Sequence, residues 1–103
     1  MATFTNATAR NLTTASAIYT CSNANGATVI GLSIAYVHTA AVTASVVLDD
    51  GTYDTHLIKN APIPVGGALV VGGGDQKIVL KNTEAINVSA SNNVDVIISV
   101  LEI

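Results

Sequence analysis

The stretch from Tyr53 to Leu80 constrains the fold more than any other part of this chain. Tyr53 to Lys59 alternates like an extended strand. Asn60-Ala61-Pro62-Ile63-Pro64 then bends the chain, and Gly66-Gly67 releases it. Ala68 to Val71 is apolar, Gly72-Gly73-Gly74-Asp75 forms a turn, and Lys77-Ile78-Val79-Leu80 reads as the returning arm of a hairpin. Pro62 and Pro64 carry no amide proton, so this segment is excluded from the middle of a sheet. It belongs at an edge or in a crossing between two sheets.

The flanking sequence reads as more strands packed on this centre. Ala2 to Ser16 is rich in Thr, Ala and Asn and has no sustained period; residues 1–15 read as an N-terminal arm, with 16–103 as the folded domain. Ala17 to Cys21 is a short strand, and Ser22-Asn23-Ala24-Asn25-Gly26 is a turn whose Asn and Gly tolerate positive φ. Thr28 to Val37 follows as a long strand. Its core face is Ile30, Leu32, Ile34 and Tyr36, and Gly31 marks a bulge or a close backbone approach. In Val42 to Asp49, the residues Val42, Ala44, Val46 and Leu48 share one face. Asp50-Gly51 signals a tight type I′ hairpin. Lys81-Asn82-Thr83 turns again, and Ile86, Val88 and Ala90 point inward from the next strand. Asn92-Asn93 precedes the last strand, whose inner face is Val94, Val96, Ile98 and Val100. About eight short strands and no helical period give an all-β, single antiparallel sandwich, jelly roll or immunoglobulin-like, with an extended N-terminal arm.

The 103 residues hold one domain, which buries roughly two-thirds of the surface of its unfolded chain. Charge is scarce: 11% of residues are ionised, against about 25% in an average domain. Thr, Ser and Asn cover part of the deficit, and the rest points to surface covered by other chains. The net charge is −3, and Arg10, Lys59, Lys77 and Lys81 form no run, which excludes nucleic acid as a partner. No apolar run is long enough to span a membrane, and the N-terminus has no signal-peptide pattern. Cys21 is the single cysteine, so no intrachain disulfide forms, which fits assembly in a reducing cytosol.

No constellation carries chemistry, and no cofactor is expected. Asp49, Asp50 and Asp54 around Gly51 lack the spacing and the bidentate Glu of a calcium loop. Cys21, His38 and His56 are too few and too scattered for a zinc site. A Ser-His-Asp set exists on paper without a nucleophile elbow, and Gly72-Gly73-Gly74 has neither a following Lys-Ser/Thr nor a helix. An enzyme is therefore not expected. Trp is absent and aromatics are few, against the aromatic platforms of a sugar-binding module.

Three segments taken together carry a family resemblance: Arg10 to Thr14, Leu57 to Gly67, and Val94 to Ile103. With them the chain resembles small tailed-bacteriophage virion accessory proteins, and the similarity spans nearly its whole length. It departs at Asn82-Thr83-Glu84, where relatives are expected to carry a Gly-Asp-like turn. The resemblance implies a capsid cement or decoration protein on the virion capsid surface, assembled in the bacterial host cytoplasm. It would bridge the major capsid protein as a homodimer or homotrimer, without nucleic acid or membrane. Phe4, Arg10, Leu12, Pro62 and Pro64 are the expected partner contacts. The alternatives are a tail-, baseplate- or fibre-associated module, or a carbohydrate- or receptor-binding module.

Overall fold

The computed structural model describes residues 2–37, 39–40, 42–71 and 77–102. Nine strands are formed among them: β1 (Thr3–Leu12), β2 (Ser16–Thr20), β3 (Ala27–Tyr36), β4 (Val42–Asp49), β5 (Asp54–Ile63), β6 (Ala68–Val71), β7 (Ile78–Leu80), β8 (Ala85–Ala90) and β9 (Val94–Glu102). They make two antiparallel sheets packed as a sandwich. The five-stranded sheet runs β1-β9-β3-β6, with β7 also paired to β3; the four-stranded sheet runs β2-β8-β4-β5.

The expected hairpin between Ala68–Val71 and Lys77–Leu80 does not form. Both segments pair with β3, and in the same sense: β6 along Leu32 to Ala35, β7 along Ala27 to Val29. They lie end to end as one interrupted strand, because β3 is long enough to give each a partner. The triglycine turn expected at Gly72 to Asp75 lies outside the described residues. With β6 and β7 taken as one strand, the orders β1-β9-β3-β6 and β2-β8-β4-β5 are those of the two sheets of a jelly roll, which decides between the two topologies left open by pattern.

Alternation dictates the core. Val94, Val96, Ile98 and Val100 point inward from β9, Val42, Ala44 and Val46 from β4, and Ile86 and Val88 from β8. Ile34, Leu80, Ile86 and Ile98 are fully buried, each worth about 1.5–3 kcal/mol relative to exposure. In β3 the pairing with β9 slips between Val29 and Gly31, where a bulge was expected. The slip moves the inward set to Ala27, Val29, Leu32 and Ile34 and leaves Ile30 only half-buried. A one-residue shift exchanges the faces of a strand, so the even-numbered pattern read from sequence holds only beyond the bulge.

Most of the N-terminal segment expected as an extended arm is β1, a strand of the chain's own sheet. It pairs with β9 from Thr3↔Glu102 to Ala9↔Val96. Its inward residues are the small Ala7 and Ala9, which leave almost no periodic signal in the sequence, and it ends on Leu12, which is buried in the core. Asn11 takes a left-handed turn (φ 54°) at the bulge that closes β1, and its amide donates to Asp95 Oδ1 at 3.0 Å.

Pro62 lies in β5, an edge strand. Its neighbour Thr43 donates its amide to Ser91 Oγ and accepts from the Ser91 amide, both away from β5. The Pro62 position is therefore a non-hydrogen-bonded pair, where a missing donor costs nothing. The bend comes later than expected, at Pro64 to Gly67, where the Gly67 amide donates to the Pro64 carbonyl and Gly66 has φ 74°. From there the chain crosses to the other sheet. The Asp50-Gly51 signal marks the β4–β5 hairpin, but the loop spans 50–53 and is closed by Asp50 N–H to Tyr53 C=O at 3.1 Å.

Two contacts tie the sheets at one end. Tyr19 Oη on β2 donates to Glu102 Oε2 on β9 at 2.5 Å. Burial, and then the adjacent carboxylate, push the phenol well above its usual range. Glu84 is buried between β7 and β8. Its Oε1 accepts from the Lys81 amide at 2.7 Å, while its backbone carbonyl accepts from Cys21. This turn forces Thr83 to φ 77°, a left-handed conformation costly for a β-branched residue.

Candidate assembly surfaces

The carboxylates, histidine and serine weighed in the sequence for metal binding or catalysis occupy the following positions. Asp49 Oδ1 accepts from the Gly51 amide at 2.8 Å, and Asp50 Oδ1 from the amides of Thr52 and Tyr53 at 2.9 and 2.7 Å. These hydrogen bonds hold the Asp50 carboxyl below its usual range. The carboxylates organise a loop and do not converge on a point, and no cluster of three metal-ligating side chains occurs among the described residues. His38 lies outside the described residues. His56, Asp54, Ser45, Ser89 and Asn87 share a cavity of about 230 Å³ on the outer face of the four-stranded sheet. Ser45 Oγ is engaged there with Asn60, accepting its amide at 2.9 Å and donating to its Oδ1 at 3.4 Å. It pins Asn60 in a left-handed conformation and is not paired to His56 as a nucleophile would be to its base.

The outer face of the five-stranded sheet is different in kind. Strand register sets its rows. The first is Phe4–Leu101–Thr28–Val79, the second Asn6–Ser99–Gly31, the third Thr8–Ile97–Ser33–Val70. None of these residues is ionisable. Four of them are large apolar side chains open to solvent: Phe4 (74% exposed), Val70 (68%), Val79 (67%) and Ile97 (52%). At one end Arg10 and Asp95 flank a groove of about 260 Å³ lined with Thr8 and Ile97, and at the other the exposed Lys77 and Lys81 stand on either side of Val79.

The expected contact residues separate. Phe4 and Arg10 are exposed on β1, at one lateral side of the sandwich; Pro62 and Pro64 are exposed at the other, on and just after β5. Leu12 is 9% exposed and belongs to the core, so it is not available to a partner. Sequence reading missed the exposed Val70, Val79 and Ile97. Only the cross-strand register shows that these distant positions share a surface.

No protein-family model and no curated protein sequence matches the chain. Its fold is similar to a solved structure described as Bacillus endospore appendages that form a family of disulfide-linked pili. The TM-score is 0.53 at 13% identity, covering 99% of this chain and 86% of that one. At that identity the likeness is one of fold. The structure it matches is a pilus protein and not a phage virion protein, which overturns the family expected from sequence. The capsid-cement role, the major capsid protein as partner, and the capsid surface and host cytoplasm as location fall with it. The physical reason is visible in the three segments that carried the resemblance. They form the end of β1, the edge strand β5 with its turn, and the central strand β9, all parts that a jelly roll needs whatever it docks against.

Proposed function

We propose that this chain is a non-enzymatic structural subunit that polymerises with copies of itself into an extracellular surface appendage. The observation that carries the reading is β1, a ten-residue strand at the edge of the five-stranded sheet. From Thr3 to Ala9 it holds neither a charge nor a proline. Natural monomers blunt such edges with lysine, proline or a short strand, because an open row of N–H and C=O groups templates the addition of another strand. The opposite side of the sandwich carries unlike edges, β5 and the interrupted β6–β7. Contact between unlike edges is head-to-tail and propagates into a ring or a helical filament. Phe4 and Arg10 on one side, and Pro62 and Pro64 on the other, are the proposed contacts. The likeness to a pilus subunit and the shortage of charge support the same reading. Of the roles expected from sequence, the fibre-associated module is the nearest.

In one respect this chain departs from the matched structure, whose pili are described as disulfide-linked. Cys21 is the single cysteine of the sequence and is 1% exposed, with its Sγ 3.7 Å from the Asn23 carbonyl. The polymer proposed for this chain is therefore one held without disulfides between the described residues. Sedimentation velocity and negative-stain microscopy of the purified chain test the reading. Filaments or rings should grow with concentration and resist dithiothreitol. A single monomeric species at every concentration would overturn it.

A further inference from the structure

We propose that Asn25-Gly26, in the turn from β2 to β3, is a site of spontaneous backbone modification, at which the fold sets the rate by clamping the reacting amide to the Asn23 carbonyl. The reaction belongs to the single subunit and proceeds whether or not copies associate.

The chemistry follows from the residue pair. Once its proton passes to a solvent base, the Gly26 amide nitrogen attacks the side-chain carbonyl carbon of Asn25. A bond forms between that nitrogen and Asn25 Cγ, the carboxamide C–N bond breaks, and ammonia leaves with a proton from solvent. Water then opens the succinimide. Cleavage of the new bond leaves aspartate. Cleavage of the original peptide bond leaves isoaspartate, with an extra carbon in the main chain. Water is consumed and ammonia released, with nothing oxidised or reduced. A following glycine favours ring closure because no Cβ obstructs the approach. Asn25 is the only asparagine of the sequence that precedes a glycine.

Its position adds to its type. Asn25 is exposed and borders a cavity of about 360 Å³ with Ala24, Val79 and Asn82. No hydrogen bond holds its side chain among the described residues, so the carboxamide has room to swing towards its own main chain. The comparable pair Asp50-Gly51 is disarmed. An aspartate cyclises as the neutral acid, and the amides of Tyr53 and Thr52, at 2.7 and 2.9 Å, pull the Asp50 carboxyl below its usual range and keep it ionised.

The nucleophile is restrained. The Gly26 amide donates to the Asn23 carbonyl at 3.0 Å, and an engaged N–H gives up its proton less readily. Gly26 is also buried, close against the Leu80 carbonyl. Ring closure therefore waits for local opening of the turn, and its rate follows the open fraction. The same Asn23 carbonyl accepts from Cys21 Sγ at 3.7 Å. Lengthening the turn by a carbon disturbs both bonds at once, so isoaspartate at position 25 uncovers the buried thiol of Cys21.

Peptide mapping by mass spectrometry, on the full chain held in mildly alkaline buffer, tests the site. Replacement of NH2 by OH should accumulate at Asn25 before any other asparagine, with isoaspartate among the products. In guanidinium chloride the reaction should run roughly tenfold faster or more, as expected for a turn that is seldom open in the native state. Maleimide should label Cys21 faster in the aged chain than in the fresh one. Asn25→Gln, whose ring closure is slower, should age without a change in labelling. Modification first at another asparagine would overturn the site, and equal rates in buffer and denaturant would overturn the clamp. An aged chain that carries isoaspartate at position 25 with its thiol still shielded would overturn the link to Cys21.

Discussion

The two sheets of this sandwich share one core and present opposite exteriors. On the four-stranded sheet the outward positions are Thr43, Ser45, Val47, Asp49, Asn87, Ser89, Asp54 and His56, with an acidic hairpin at one end. On the five-stranded sheet they are Thr, Ser, Asn and Gly around Phe4, Leu101, Val70, Val79 and Ile97, with Arg10 and Asp95 at one margin. A chain with so few ionised groups cannot cover every side with charge, and here Asp49, Asp54 and His56 stand on the outer face of one sheet while the three rows of the other carry no ionisable side chain. The difference teaches that a low charge content read as an average hides a directional surface. One side carries titratable groups, and the other exposes large apolar side chains.

Truncating the core should show first that the sheets are equals inside. Ile98→Ala on β9 and Ile86→Ala on β8 should each destabilise the subunit by about 2–5 kcal/mol in denaturant melts. Ile97→Ala, one residue along and facing outward, should cost less than about 0.5 kcal/mol. A large effect of Ile97→Ala on monomer stability would mean that the outer face is part of the fold and not a surface held for partners.

The crossing between the sheets should be strained in one place. Thr83 joins β7 to β8 at φ 77°, so Thr83→Gly should stabilise by about 1 kcal/mol, the left-handed cost outweighing the added freedom of the unfolded chain. Gly26, at φ 89°, is the counter-case. A Cβ there would meet the Leu80 carbonyl at 2.8 Å, so Gly26→Ala should destabilise. Equal responses at the two turns would remove the distinction.

The smallest effect expected is a response to acid confined to the four-stranded sheet. The Asp50 carboxyl is depressed by hydrogen bonds from Tyr53 and Thr52. A depressed carboxylate contributes stability above its unfolded pKa and loses it as pH falls through the folded value. Protection of the Thr52 and Tyr53 amides, measured against their intrinsic exchange rates, should therefore fall only below the ordinary carboxylate range and before the central strands respond, and Asp50→Asn should abolish that pH dependence. A hairpin insensitive to both changes would show that the loop is held by its backbone alone.

Strands with large inward residues were legible. Val42 to Asp49, Ala85 to Ala90 and Val94 to Glu102 follow their alternation, and Pro62 correctly demanded an edge. What escaped was decided by partners distant in sequence. β1 has only Ala7 and Ala9 facing inward along most of its length, so nothing local distinguishes it from a loose arm. β6 and β7 looked like a hairpin because their common neighbour, β3, lies some forty residues upstream. The candidate surface was half visible. Phe4 and Arg10, named from type alone, are exposed on β1, whereas Val70, Val79 and Ile97 needed the register, and Leu12 was claimed by the interior.

The shielded thiol at Cys21 has a consequence for how such a filament would behave over time. With no oxidative lock between neighbours, each subunit can leave an end as well as join one. Fibre length would then follow the supply of free protein, and dilution alone would shorten it.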